Sequence, residues 1–462
     1  MIAIIGGMKE YDVIVIGSGG GSKITRPAAS LGNKVAIIEK GALGGTCLNH
    51  GCIPSKMLIH PADVCAEILE AKRFNITTDE NYTPDFKTLI ERVTATVTHD
   101  SDSIEPAYEK IDNIDLYKGE AQFVSNYVVE VNGEQLTAPK IFVVAGARAS
   151  IPEIKGLANT PYITYKEALR QTTQPKKKII VGGGFIAVEL GYFYAMMGTE
   201  VHFLVREKLM RPLDNDIIEE FTGALKDKVH VHCEPNILRV HHDGSEFTVM
   251  TDNQIYQADS LFMATGMQPN SDILKCAENT DIELDSRGNI KVNDHFETAV
   301  PGVYAFGDIL GRYMFRHTAN YEGEYVFNHV FGNQKEPIKY PPIPYAVFSN
   351  PQIGGVGESE KSLQEKGIEY VVGKNNYRNS AMGMALLSEE GFCKLLFDKQ
   401  TKKLLGAHIV GKEASNMVHM CIAYIKMGGT LDDMMDTIYI HPALPEIVRN
   451  AARKAAAEFA RG

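Results

Sequence analysis

The sequence predicts an α/β protein made of two doubly wound units followed by an α+β region, and three observations carry that prediction. An apolar strand, Tyr11 to Ile16, runs into the glycine-rich stretch Gly17-Ser18-Gly19-Gly20-Gly21-Ser22. A second strand, Lys178 to Val181, runs into Gly182-Gly183-Gly184. From about Tyr340, strands around Phe392 to Phe397 and His408 to Val410 precede a stretch of helical periodicity.

In the first unit a further strand, Val35 to Ile38, follows the glycine turn and ends in Glu39. Strand, glycine turn, helix, strand and terminal acid form the fingerprint of an ADP-binding, Rossmann-like unit. The glycines let backbone amides approach a pyrophosphate at a helix N-terminus, and the acid accepts a hydrogen bond from the adenosine ribose. Gly17, Gly19, Gly20 and Glu39 are the residues it selects. A loop that merely turns the chain is the competing reading for the glycines taken alone. Ser22 stands where a third glycine is usual, and Pro27 would interrupt a helix begun at the loop, so a shortened or kinked first helix is expected.

Gly44 to Lys56 follows directly, with the sequence GGTCLNHGCIPSK. If a helix begins near Cys47, the thiols of Cys47 and Cys52 fall about a turn and a half apart, within reach of a disulfide once the first turn bends. A redox pair fits this spacing. Zinc is the rival, with His50 as a third ligand, but no second Cys or His pair at ligand spacing follows to close a tetrahedron. Inert thiols are the other alternative. No metal site is predicted.

Apolar residues at helical spacing, Val64, Ile68 and Leu69, then Leu89, Ile90, Val93 and Val97, predict helices packed on the cysteine turn. Residues 115–145 read as strands with a hairpin at Asn132-Gly133, closing with Ile141 to Ala145 and Gly146. The second unit places its helix at Val188 to Met197 and its next strand at Val201 to Val205. That strand ends in Arg206, with Lys208 and Arg211 close behind. An acid there would bind a ribose 2'-hydroxyl and repel a 2'-phosphate, whereas arginines pair with the phosphate, so NADPH is expected over NADH. A solvated cationic face is the alternative. Two dinucleotide-binding domains in one chain imply two nucleotides brought face to face, an arrangement suited to hydride transfer.

Composition sets the outer limits. The 462 residues are 44% hydrophobic and 23% charged, as in a soluble globular protein with room for about three domains. A net charge of −11 argues against a nucleic-acid binder, and no apolar run is long enough to span a membrane. Seven thinly scattered cysteines do not make a secreted disulfide framework, so a cytoplasmic protein is expected. The opening MIAIIGG lacks the basic flank of a signal peptide, and Met8 is a candidate start preceded by a disordered extension.

GGTCLNHGCIPSK resembles the active-site segment of the flavoprotein disulfide reductases, the group that includes dihydrolipoamide dehydrogenase, glutathione reductase and mycothione reductase, and the resemblance runs from Tyr11 to the C-terminus. TAVPGVYAFGD, Thr298 to Asp308, is similar to the family's second FAD contact. Ala264-Thr265-Gly266 with Pro269-Asn270 is similar to the stretch that leaves the nucleotide domain. The resemblance implies an FAD-binding domain over residues 1–150, an NAD(P)-binding domain over 151–270, a return to the central domain over 271–338 and a dimerisation domain over 339–462. It implies cofactor contacts at Gly17, Gly19, Gly20, Glu39, Thr46, Lys56, Gly146, Gly182, Gly184, Phe185, Ile186, Arg206, Arg211, Gly266, Gly307 and Asp308. Lys56 and Glu189 match an ion pair beside the flavin, and Phe185 a residue that covers it until nicotinamide enters.

His441 gains weight from its partner. Glu446, five residues on and beyond two prolines, can hold the imidazole in one tautomer. In the family this pair reaches the thiols of the other subunit, which implies a homodimer. Cys52 is expected nearest the flavin, with Cys47 attacking a substrate disulfide and His441 protonating the leaving thiol. The substrate is expected to be a low-molecular-weight disulfide, mycothione- or glutathione-like. The alternatives are a dihydrolipoamide dehydrogenase using NAD on lipoyl groups and a non-catalytic flavoprotein subunit of a complex. Mercuric-ion reductase and large thioredoxin reductase are minor readings, since the chain ends AAAEFARG without a cysteine pair. Lys23, Arg26 and His50, near the thiols in sequence, are read as solvated residues, with contact to substrate as the alternative.

Overall fold

Strands with no polar interruption must be covered on both faces, and Val13–Ile16 is buried at every position while Val35–Glu39 is buried up to its last residue. In a computed structural model, which describes residues 7–78 and 83–461, these two strands are the middle of a five-stranded parallel sheet. Lys140–Val143 and then Val303–Ala305 extend it on one side, and Ile114–Lys118 closes the other. The chain thus leaves this sheet, builds the second unit and returns to add Val303–Ala305. Val128–Val131 and Glu134–Thr137 pair around the two-residue turn Asn132-Gly133, both at positive φ as a tight hairpin requires. The suggested extension before Met8 falls mostly on residues 1–6, outside those described.

The helix after the first glycine turn, Ser18–Ser30, runs unbroken through Pro27, contrary to the shortening expected. Pro27 lies near the helix end, so the backbone bond lost at its nitrogen leaves only the last turn less supported. Gly17 has φ 105°, and a Cβ there would stand 2.4 Å from the Val144 carbonyl oxygen. The missing third glycine is accounted for one residue earlier. A Cβ on Gly21 would stand 2.6 Å from Val15 Cγ1, whereas Ser22 is exposed and bonds back to the Gly19 carbonyl. Gly21 therefore permits the close packing of helix on strand.

The second unit is a four-stranded parallel sheet in the order His230–Cys233, Glu200–Val205, Lys177–Val181, Ser260–Met263, with the helix Phe185–Met196 after its glycine turn. The helix starts three residues before the expected Val188, because the turn proper ends at Gly184. The antiparallel strands Ile237–His242, Phe247–Thr251 and Ile255–Ala258 cover one face of this sheet, where Val240, Phe247 and Val249 pack with Ile179, Val181 and Leu204. The C-terminal sheet is five-stranded and antiparallel, and the helices Ala414–Met427 and Glu446–Phe459 pack on it.

A buried lysine joins the second unit to the C-terminal sheet. Lys394, on Phe392–Asp398, has a side chain 1% exposed, and its ammonium reaches Asp214 at 2.8 Å and Asp216 and Glu360 at 2.7 Å. Three donors meet three acceptors. Burial pushes the carboxyls of Asp214 and Asp216 up, but hydrogen bonds from lysines and, at Asp214, the Glu360 N–H outweigh it and hold both below 3.8. Burial pulls Lys394 down, and the same bonds hold it above 10.5. The carboxylates contribute stability above 3.8 that is lost as pH falls through their folded values; Lys394 contributes below 10.5 and loses it as pH rises through its folded value. Lys394→Met is expected to lower the unfolding free energy by about 3 kcal/mol at neutral pH by stranding Asp214, measured by urea denaturation, with the gap to wild type narrowing in acid.

Candidate active site

The cysteine turn is two helices with a break between them. Gly45–His50 ends at Gly51, whose backbone is not helical (φ −146°, ψ −114°), and Cys52–Glu70 begins immediately after. This break supplies the bend that a continuous helix would lack, and the two thiols hydrogen-bond to each other. Asn49 staples the turn from beneath. It is buried, donating from Nδ2 to the carbonyls of Leu43 (2.8 Å) and Gly45 (3.1 Å), and Arg170 donates to its carbonyl at 3.0 Å. Cys52 is the sulfur favoured as thiolate. The hydrogen bond from Cys47 lowers its pKa to about 7 against the effect of burial, with Lys56 and Arg316 adding to the shift. Donating that bond, together with burial, pushes the Cys47 thiol well up.

One turn beyond Cys52, Lys56 Nζ lies 2.7 Å from Glu189 Oε2 and 4.3 Å from the centre of the Phe348 ring. The Phe348 N–H donates to Glu189 Oε1 at 3.0 Å. Burial pushes the Glu189 carboxyl above its ordinary range, and Lys56 works against that shift.

Both thiols, Lys56 and Glu189 face one cleft of about 2790 Å³. Its first-unit wall carries Gly17, Gly19, Gly20, Glu39, Thr46 and Gly146; Gly307 and Asp308 come from the returning segment. The other wall carries Gly182, Gly184, Phe185, Ile186, Arg206, Arg211 and Gly266. Glu39 accepts from the Ser18 N–H at 2.9 Å and the Ser18 hydroxyl at 2.7 Å, which fixes it at the mouth of the first glycine turn. Phe185 stands edge-on to Phe315 and Tyr345. Burial raises Asp308, with Arg316 opposing. Arg211 pairs with Glu207 at 2.9 Å, both half-exposed.

His441 and Glu446 do not line this cleft. Glu446 Oε2 lies 3.0 Å from His441 Nδ1, and the carboxylate also accepts from Arg449 at 2.6 Å and from the Ala443 N–H at 3.2 Å. Burial pushes Glu446 up, but these partners outweigh it and hold the carboxyl below its ordinary range. The His441 side chain is 68% exposed, beside Ile438 and Ile440, which are 97% and 82% exposed.

Two residues, one on the cleft and one buried behind it, have no signature in the sequence. Arg316 acts electrostatically on both thiols from the start of the helix Arg316–Phe331. Glu322, on the same helix and 1% exposed, accepts from the Gly307 N–H at 2.7 Å and the Tyr340 hydroxyl at 2.6 Å. Neither has a fixed offset from a motif. Of the residues read as solvated, Lys23 pairs with Glu324 at 2.6 Å and Arg26 lies over the Tyr108 ring. His50 differs. It is half-buried on the cleft, and burial, then Lys166 and Arg170, lower its pKa.

The profile of the pyridine nucleotide-disulphide oxidoreductases matches residues 11–323, and that family's dimerisation domain matches residues 343–452. The chain belongs to this family. It is a class I flavoprotein disulfide reductase, an NAD(P)H-dependent oxidoreductase that uses FAD and a pyridine nucleotide. Mycothione reductase of Mycobacterium tuberculosis is 32% identical over 458 residues, covering 96% of this chain and 99% of that protein. Dihydrolipoyl dehydrogenase of Bacillus subtilis is 34% identical over 459 residues, 96% of each. Mercuric reductase of Staphylococcus aureus is 30% identical over 454 residues, 96% of this chain and 82% of that protein. The solved structure of the HOCl-induced flavoprotein disulfide reductase RclA from Escherichia coli superposes with a TM-score of 0.86 at 26% identity, covering 96% of this chain and 99% of that one.

The cleft fits the two cofactors the flavoprotein reductases use. The helices Ser18–Ser30 and Phe185–Met196 both point N-termini at it without a side-chain cap or an acid in the first turn, leaving their amides for phosphate oxygens. Among the described residues four buried polar atoms on residues of the cleft, His50 Nδ1, Tyr165 Oη, Thr318 Oγ1 and Asn320 Oδ1, have no protein partner. Such atoms call for a polar ligand. Lys56→Met is expected to raise the pKa of the Cys52 thiol above about 7, read by thiolate absorbance against pH on the reduced enzyme.

Proposed function

We propose that the protein is a homodimeric, cytoplasmic enzyme that reduces a low-molecular-weight disulfide of the mycothione or glutathione kind with NADPH. The observation that carries this reading is the cationic end of Glu200–Val205, where Arg206, Lys208 and Arg211 line the cleft at the position that binds the adenosine ribose in such folds. Glu207 in the same stretch favours a second reading, a dihydrolipoamide dehydrogenase using NAD on lipoyl groups, because a carboxylate there can take the ribose hydroxyls. Its bond to Arg211 is an exposed ion pair, worth little, and a 2'-phosphate can compete for the arginine.

In this reading Gly17, Gly19, Gly20, Glu39, Thr46, Gly146, Gly307 and Asp308 hold FAD, which supplies a two-electron carrier when bound. Gly182, Gly184, Ile186, Arg206, Arg211 and Gly266 hold the pyridine nucleotide, and Phe185 covers the flavin position. Lys56, fixed by Glu189, keeps a cation beside the inner thiol. With the cysteine pair reduced, His441 takes the proton of Cys47 as that sulfur attacks one sulfur of the substrate disulfide. The other sulfur leaves as a thiol, taking its proton from His441. The Cys52 thiolate then attacks Cys47 of the mixed disulfide, restoring the Cys47–Cys52 bond and expelling the second sulfur as a thiolate that takes its proton from solvent. Glu446 holds His441 by Nδ1, leaving Nε2 for the proton. The exposed His441, set among exposed isoleucines and outside the cleft of its own chain, supports a site shared with a second copy.

The deciding experiment is steady-state specificity on one preparation, comparing NADPH and NADH against lipoamide, glutathione disulfide and a mycothiol disulfide. A preference of well over tenfold in kcat/KM for NADPH with a small thiol disulfide, above about 1.4 kcal/mol, is expected; a preference for NAD or NADH with lipoyl substrates overturns the reading. Changing Arg206 and Arg211 together to Gln is expected to raise KM for NADPH roughly tenfold or more with little change for NADH. Equal nucleotide ratios in wild type and variant would remove the phosphate-pairing argument.

A further inference from the structure

On the sheet of the second unit, Glu200–Val205 and the edge strand His230–Cys233 lie parallel with His202 paired to His230 and Leu204 to His232. Residues two apart on a strand share a face, so Glu200, His202, His230 and His232 project together. The His202 ring stacks on those of His230 at 4.5 Å and His232 at 5.2 Å. Glu200 Oε1 lies 2.7 Å from His202 Nε2, while His202 Nδ1 lies 2.9 Å from His232 Nε2. One donor atom from each of Glu200, His202 and His230 falls within 4.8 Å of the others.

We propose that Glu200, His202 and His230 form a binding site for a divalent transition-metal ion, best fitted by zinc(II), remote from the active-site cleft. Two imidazoles and a carboxylate are a donor set this ion takes readily, and three protein ligands leave a fourth position for water. His232 is the positioning residue. With His202 ligating through Nε2, its Nδ1–H donates to His232 Nε2 and holds the ring, as the outer partner of a ligating histidine commonly does, and Tyr256 packs edge-on against His232 at 4.7 Å. The His202 side chain is only 12% exposed, while His230 and Glu200 open to solvent and give the ion a way in. Lys177 Nζ, 3.1 Å from Glu200 Oε1, is the cation to be displaced, along with the proton between Glu200 and His202 Nε2. The other trio of clustered acids, Asp214, Asp216 and Glu360, is already closed around Lys394. Arg206 follows the far end of the strand, about 20 Å from Glu200 at the usual strand rise, so the site takes no part in nucleotide binding.

The test uses untagged, FAD-loaded enzyme with Cys47 and Cys52 oxidised, so that their thiols do not compete for the ion. Equilibrium dialysis against zinc chloride is expected to show one bound zinc per chain at micromolar free ion, and cobalt(II) to give a tetrahedral absorption band. His230→Gln and Glu200→Gln, both exposed and expected to fold normally, should weaken zinc binding roughly tenfold or more while disulfide reductase turnover is unchanged. No zinc bound by the wild type, or equal affinity in wild type and both variants, would overturn the site.

Discussion

Glu189 ties together parts of the chain that have no local reason to meet. It sits on the helix that follows the second glycine turn, pairs with Lys56 one turn beyond Cys52, and accepts a backbone N–H from Phe348 at the border of the C-terminal sheet. The Lys56 side chain is 36% exposed and that of Glu189 only 9%, so the carboxylate, not the ammonium, bears the desolvation. Removing the lysine would leave a buried charge, while removing the carboxylate would leave Lys56 a route to solvent. The cysteine helix and the nucleotide helix share one apolar cluster, with Leu58, Ile59 and Ala62 from one and Val188 and Leu190 from the other. The relative position of thiols and nucleotide turn thus rests on a charge pair at the cleft and an apolar cluster shared by the two helices.

What could be read from the sequence was whatever is encoded at short range. The two strand–glycine–helix units, the cysteine turn and the His441–Glu446 pair are contiguous patterns whose spacing carries their chemistry, and the structure brings all of them but the last to one cleft. Arg316, Glu322 and Asn49 were not legible because their partners are distant or are backbone atoms. Glu322 matters through the Gly307 N–H, and a carbonyl or amide leaves no mark in a sequence. Pro27 misled for a related reason. A helix rule judges the residue alone, but the cost of a missing N–H depends on how much helix lies beyond it.

The electrostatics of the cleft are divided between its two ends. Around the thiols, Lys56 and Arg316 concentrate positive charge where a thiolate forms. At the far end, Arg206, Lys208 and Arg211 face the cleft beside Glu207. Such local fields coexist with a net charge of −11, so overall acidity says little about what the cleft attracts.

The displaced glycine of the first turn carries a wider implication. What the turn requires is a distance, the gap between a helix and the strand beneath it, and Gly21 keeps that gap open against Val15 although the letter expected one position later is a serine. Natural selection acting on that gap can slide the small residue along the helix wherever its side of the cylinder still faces the sheet. Relatives that look irregular to a fixed pattern can therefore share one architecture, and the criterion for grouping them is a clearance between backbones.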